Sequence, residues 1–226
     1  MIILAFWIKN RKYYSSVQLC VKIHHMNKVL IGLGNIGKAI IRHWRKDIIT
    51  VDPFVVEADY KSIDELRGCI KYLNLACKPQ DFRKINWKTI SANNVISYMA
   101  GINIQEIADY FPKSNIVRVM PNLGAVVGCS TNLICGARID NEIYNMISLL
   151  GKNFIINDEK LLDSLAPITG SGLAYFYLLA DCLSKIIVEN FNQDPKFASD
   201  LVAHTLNASV KYVQDNSELD FSKLSQ

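Results

Sequence analysis

The stretch Lys28-Val-Leu-Ile-Gly-Leu-Gly34-Asn-Ile-Gly37 constrains this chain more than any other segment. It is a short apolar run that ends in glycines, and the residues after it place Ile36, Ala39, Ile40 and Trp44 on one helical face. The first part suits a buried parallel strand and the second an amphipathic helix over about 36–45. The spacing Gly32-x-Gly34-x-x-Gly37 gives each glycine a separate task. The first permits a tight strand-to-helix turn, the second lets a pyrophosphate approach the backbone, and the third lets the helix pack closely on the sheet. Phosphates would then lie at the helix N-terminus, over the turn holding Asn35 and Ile36, where free amides and the dipole favour anions. Asp52 closes the next apolar run, Ile48-Ile-Thr-Val51, at the offset of a ribose ligand. A carboxylate there accepts from the ribose hydroxyls and repels a 2′-phosphate, and no Arg stands in Asp52-Pro53-Phe54-Val55. The expectation is a dinucleotide site that favours NAD(H), with NADP(H) as the lesser option. The plainer readings are a structural glycine turn and a solvated turn aspartate before proline.

Further strand-like runs follow at 69–77, 95–99 and 116–120, with helical patterns over 79–89 and 104–111. Strands alternating with helices imply right-handed βαβ units. The fold class expected is therefore α/β, a Rossmann-type doubly wound parallel sheet. After residue 157 only helical patterns remain, over 160–191 and 196–213, broken at Pro167 and Gly170-Ser171-Gly172. The expected organisation is an extension over 1–25, a dinucleotide-binding domain over 26–157 and a smaller, incomplete all-α domain over 158–226.

The net charge of +4 invites a nucleic-acid reading, but its distribution does not support one. Residues 1–25 carry Lys9, Arg11, Lys12 and Lys22 and no acid; the remaining 21 cations match the 21 acids. A formally neutral body offers no general attraction to phosphate backbones. The apolar residues 1–8 are too few for a membrane span, which needs about 20, so no membrane partner is expected. Met26 sits directly before the first strand, so residues 1–25 are expected to be a dispensable extension. None of the six cysteines stands in a CxxC or zinc-like spacing, so all are expected to be free thiols in a reducing cytoplasm.

Five blocks occur in order: the glycine motif, Ala76-Cys77-Lys78-Pro79, Ser97-Tyr-Met-Ala-Gly101, Arg118-Val-Met-Pro-Asn122 and Thr169-Gly-Ser-Gly-Leu-Ala-Tyr175. Together they resemble the pyrroline-5-carboxylate reductase family over about residues 27–224. The resemblance implies a nicotinamide-dependent oxidoreductase of proline biosynthesis, with a helical dimerisation domain and 1-pyrroline-5-carboxylate as substrate. It implies that Ala76, Cys77, Lys78 and Pro79, then Ala100 and Gly101, line the cofactor. It places Met120, Pro121, Asn122, Glu159 and Ser171 on the substrate side, and a homodimer or larger assembly once the helical domain is complete.

Departures from the family pattern set further expectations. Its Met-Pro-Asn-Thr-Pro is Met120-Pro-Asn-Leu-Gly124 here, and the proline after Gly-Ser-Gly is Leu173. Between Asp52 and Cys69 the chain is too short for a full second helix, so the adenine side is expected to be open. The sequence stops at Gln226, before the family's Ser-Pro-Gly-Gly-Thr-Thr loop. Cofactor binding without efficient reduction is therefore the alternative, that of a truncated or split remnant. A β-hydroxyacid dehydrogenase would need a lysine just after the Gly-Ser-Gly turn, and none occurs before Lys185. No catalytic acid or base is assigned, and no metal. The protonated cyclic imine is itself a good hydride acceptor, and His43 and His204 read as surface or packing residues. Lys78 and Asn122 also read as ordinary loop residues, and Ser171 as a helix cap.

Overall fold

The computed structural model describes residues 26–44, 48–216 and 221–224. The expected extension over 1–25, Cys20 included, lies outside these residues. One sheet holds seven strands: β1 (Met26–Ile31), β2 (Ile49–Val51), β3 (Gly68–Leu75), β4 (Ile90–Ser97), β5 (Asn115–Met120), β6 (Ser130–Gly136) and β7 (Gly151–Ile155). Their order is β2-β1-β3-β4-β5-β6-β7. The first five are mutually parallel, β6 runs antiparallel to β5, and β7 runs parallel to β6. The helices are α1 (Asn35–Trp44), α2 (Pro79–Phe82), α3 (Ile104–Tyr110), α4 (Asn141–Ser148), α5 (Glu159–Thr169), α6 (Gly172–Phe191) and α7 (Pro195–Asp215), with a last turn at Phe221–Leu224. The doubly wound α/β sheet with helices after it is the expected fold class.

Period-two alternation builds a core on each face of the sheet. Val29, Leu73, Val95 and Ile116 join Phe82, Trp87 and Ile107 on one face. Their neighbours Leu30, Tyr72, Ile96 and Val117 join Ile40, Trp44 and Ile147 on the other. Both faces are buried, which is why the central strands read as continuous apolar runs. From β1 the chain goes to β2 on one side and to β3 on the other. The strand order reverses between β1 and β3, and a crevice opens there at the carboxyl ends.

Two elements depart from expectation. The helix expected over 79–89 is only the single turn α2, followed by a bend and a 3-10 turn at Trp87–Thr89. Phe82 and Trp87 are both buried, with ring centroids 5.3 Å apart. Residues five apart on a continuous helix point about 140° from each other, so the chain must unwind to bury both rings, and the Trp87 indole then donates to the Phe82 carbonyl at 3.0 Å. The unit α4 with β6 and β7 was not expected at all. Ser130 and Asn132 of β6 are buried polar residues, which hid the strand's pattern.

Arg118, in the middle of β5, is 1% exposed. Its guanidinium meets Glu159 at 2.6 Å and Asp163 at 2.8 Å, one turn apart on α5. Burial works against the charged form of Arg118, but the hydrogen bonds it donates to Asp163 and Glu159 outweigh that cost, and its pKa is raised. These two pairs fasten α5 to the sheet, helped by Leu162, which is buried against Leu133 and Cys135.

The run Glu159–Phe191 is, among the described residues, long and apolar enough to cross a membrane by length and composition. It is two helices divided at Gly170-Ser171, however, and Glu159 and Asp163 of the first are bound to the sheet. Along α6, Asp181, Lys185 and Glu189 interrupt the apolar surface. Tyr175, Phe176, Leu178, Leu179 and Ile186 of α6 are exposed.

Candidate functional site

The three motif glycines occupy three different environments. Gly32 has φ +95°, and a Cβ there would lie 2.5 Å from the Cys77 amide nitrogen. A Cβ on Gly37 would lie 2.1 Å from the Gly32 carbonyl oxygen. Both glycines are thus locked by backbone packing, the first between the ends of β1 and β3 and the second between α1 and β1. A Cβ on Gly34 would meet nothing within 4 Å. The middle glycine faces open space at the N-terminus of α1, the position where a phosphate would need it.

A cavity of about 730 Å³ opens beside this turn. It brings together Gly32, Gly34, Asp52, Ala76, Cys77 and Lys78 from three separate blocks. The backbone registers them: the Gly32 amide donates to the Val51 carbonyl at 2.9 Å and the Ala76 amide to Ile31 at 2.8 Å. Of the other expected cofactor residues, Asn35, Ile36 and Gly37 form the first turn of α1, and Pro79 opens α2. Ala100 and Gly101 follow β4. None of these lines the cavity itself. Sequence reasoning missed Lys61, Asp81, Lys84 and Asn86, which also line it. The one available signal was their place in the segments that follow the ends of β2 and β3.

Asp52 is 9% exposed and its carboxylate is occupied by the protein. Oδ2 accepts from the Leu33 amide at 2.7 Å, and Oδ1 accepts from Phe54 and Val55 at 2.9 and 3.0 Å. Burial pushes its pKa up, yet these three amides, helped by the Lys61 ammonium, hold the carboxyl below its usual range. Asp52 therefore ties the end of β2 to the glycine turn. A free carboxylate turned toward ribose, the ground for expecting NAD(H), is not the arrangement found. Asp52→Asn should lower stability by about 1.5–3 kcal/mol, the worth of a charge-assisted hydrogen bond. The sign with pH follows from the depressed folded value. The contribution is complete above the ordinary carboxylate range and is lost as pH falls through the folded pKa. Thermal melts of wild type and Asp52→Asn should converge in acid, and a constant gap down to pH 2 would contradict this role.

Cys77 is packed beside Met99, with sulfur atoms 3.8 Å apart. Burial pushes its thiol up to about 12. It is a neutral packing group at neutral pH, not a nucleophile. The five described cysteines are free.

The residues expected on the substrate side lie past the end of β5. Met120 ends that strand, and Pro121 and Asn122 follow, both buried. Asn122 Oδ1 accepts from the Gly124 amide at 3.0 Å, and its Nδ2 donates to the Thr169 carbonyl at 2.9 Å. It thereby stitches the end of β5 to the Gly-Ser-Gly turn. Ser171 stands at the N-cap of α6, but its side chain makes no capping bond. Glu159 is engaged twice, by Arg118 and by the Ile104 amide at 2.8 Å, so it links α5 both to β5 and to the loop after Gly101. His43 Nε2 donates to the Ala125 carbonyl oxygen at 2.8 Å, a bond that ties α1 to the turn after Asn122.

No family model matches the chain. The chain is 27% identical to a pyrroline-5-carboxylate reductase of Haemophilus influenzae over 227 aligned positions, covering 89% of this chain and 83% of the relative. A reductase of the same name from Mycobacterium tuberculosis is 25% identical, covering 84% and 75%. Among solved structures, 1-pyrroline-5-carboxylate reductase from Streptococcus pyogenes superposes with a TM-score of 0.72 at 23% identity, over 89% of this chain and 84% of that one. Plasmodium falciparum pyrroline carboxylate reductase, solved with NADP bound, gives 0.75 at 23%, over 88% and 82%. Along most of its length the chain resembles pyrroline-5-carboxylate reductases, which are enzymes, and it has their fold.

Proposed function

We propose that the chain is an oxidoreductase that binds NAD(P)H in the crevice between β1 and β3 and reduces 1-pyrroline-5-carboxylate to L-proline. The observation that carries this reading is the open ground above Gly34, fixed by Gly32 and Gly37, in a chain similar to these reductases over 89% of its length. The cofactor would supply a hydride from nicotinamide C4. Delivered to the carbon of an imine already protonated on nitrogen, that hydride would leave a neutral ring amine as the C=N π electrons moved to nitrogen. No strong protein acid is needed for the balance. The chain's part is to bind and orient. The α1 amides and Gly34 take the pyrophosphate, and Ala76, Cys77, Lys78, Pro79, Ala100 and Gly101 take the nicotinamide half. Met120, Pro121, Asn122, Glu159 and Ser171 form or brace the wall against which the substrate rests. A second copy covering the exposed face of α6 is part of this reading, as is a cytoplasmic location.

The finer choice between NAD(H) and NADP(H) no longer rests on Asp52, whose oxygens are bonded to backbone amides. The test of function is direct. Protein, 1-pyrroline-5-carboxylate and NADPH or NADH should give loss of nicotinamide absorbance and an equal amount of proline. Cofactor binding with no proline formed would favour the dinucleotide-binding remnant. Oxidation of a 3-hydroxyacid in place of imine reduction would favour the dehydrogenase.

A further inference from the structure

We propose that Tyr98 is a positioning residue: its phenol, bonded to Asn74, sets how far residues 76–79 stand from residues 100–101, and so how closely the crevice grips the nicotinamide half of the dinucleotide. The inference rests on the dinucleotide reading above and gives a role to a buried polar pair that no step of the hydride transfer uses. Period-two alternation turns Tyr72 and Asn74 of β3 and Ile96 of β4 to one face of the sheet, and Tyr98, two residues past Ile96, packs there as well. The rest of that layer is apolar, with Leu30, Leu33, Val119 and Ala125 in it. Asn74 is fully buried and Tyr98 nearly so. A polar group in such a layer is costly unless it is bonded.

The polar atoms of the pair are matched. Asn74 Nδ2 donates to the Val29 carbonyl of β1 at 3.3 Å and to the Tyr72 carbonyl at 3.4 Å, which leaves Oδ1 to accept from the Tyr98 hydroxyl, also at 3.4 Å. Burial holds the phenol well above its usual pKa, so it stays a neutral donor. The pair thus spans β1, β3 and the end of β4, the strands whose carboxyl ends lead to Gly32, Ala76 and Ala100. A separation of 3.4 Å is near the limit of hydrogen bonding. Any further parting of the β3 and β4 ends would leave a hydroxyl and an amide oxygen buried and unbonded, and that cost restrains the gap. The restraint acts close to the crevice. The Tyr98 amide donates to the Leu75 carbonyl at 2.9 Å, one residue before Ala76, and the next residue, Met99, sets its sulfur 3.8 Å from that of Cys77. Apolar contacts alone are non-directional and would not fix one separation.

Titration of the whole chain with NADPH and with 2′-phospho-ADP-ribose, which lacks the nicotinamide ring, tests this in wild type, Tyr98→Phe, Asn74→Leu and the double variant, each with its melting temperature. The ratio of the two affinities reads the grip on nicotinamide and cancels what adenine and the phosphates contribute. Wild type should bind NADPH the more tightly. Tyr98→Phe should lower the ratio by about threefold or more, as expected for one hydrogen bond, and change the affinity for 2′-phospho-ADP-ribose by less than about twofold. Asn74→Leu should do the same, and the double variant should lose no more than either single change, since the two residues act as one unit. A pair that serves stability alone would lower the melting temperature and leave the ratio at its wild-type value, which would overturn the assignment. So would losses that multiply in the double variant, or equal binding of both ligands by wild type. Failure of wild type to bind either ligand would overturn the reading of the crevice itself, and the assignment with it.

Discussion

Arg118→Met is expected to destabilise the fold by about 3 kcal/mol, the lower end of the 3–5 kcal/mol seen when one partner of a buried ion pair is removed. The lower end applies because Glu159 and Asp163 keep side-chain exposures of 27% and 52% and regain water once the guanidinium is gone. In a chain of this size that corresponds to a melting temperature lower by roughly 6–12 °C. The loss should not stop at stability. Glu159 also holds the Ile104 amide, and Asn122 holds the Thr169 carbonyl at the other end of α5. Loosening α5 displaces the substrate-side wall relative to the cofactor crevice, so turnover should fall more than cofactor affinity. Asp163→Asn, which keeps the Glu159 pair, should cost only about 1 kcal/mol. Equal melting of Arg118→Met and wild type would show that α5 is held by Leu162 and its neighbours alone.

Gly34→Ala should separate binding from folding. Its Cβ meets nothing within 4 Å in the protein, and Gly34 does not have a positive φ. The melting temperature should stay level or rise slightly, since removing a glycine stabilises a compatible position by about 0.4–1 kcal/mol. The methyl group nevertheless occupies the ground a pyrophosphate needs. Pushing the phosphates off two amide contacts costs about 3–5 kcal/mol, or a loss of affinity on the order of a hundredfold or more. Gly37→Ala gives the opposite signature. Its Cβ would lie 2.1 Å from the Gly32 carbonyl oxygen, so α1 must move off the sheet, at about 1–3 kcal/mol or more. Equal cofactor affinity in Gly34→Ala and wild type would remove the phosphate from this turn.

These contrasts show what the sequence carries and what it hides. The β1-turn-α1 unit was legible because two periodicities meet at glycines whose spacing has a steric cause. The shortness of the segment after Asp52 was legible too, and the structure fills it with a loop, a one-residue bridge and a 3-10 turn. What stayed hidden depends on tertiary partners. Asp52 has the right position for a ribose ligand, but local sequence does not disclose that Leu33, Phe54 and Val55 claim its oxygens. Arg118 within an apolar run gave a clue left unused: a buried guanidinium requires acids opposite, and Glu159 and Asp163 are spaced one helical turn apart. β6 escaped because Ser130 and Asn132 are buried by cross-strand and loop contacts, not by apolarity.

Amide hydrogen exchange with and without NADPH tests most directly whether a dinucleotide lies over the Gly32–Gly37 turn. Added cofactor should slow exchange at residues 32–37, 76–78 and 100–101, and leave the exposed face of α6 unchanged in a protein of fixed oligomeric state. Protection confined to α6 and α7, or no protection anywhere at saturating NADPH, would contradict it.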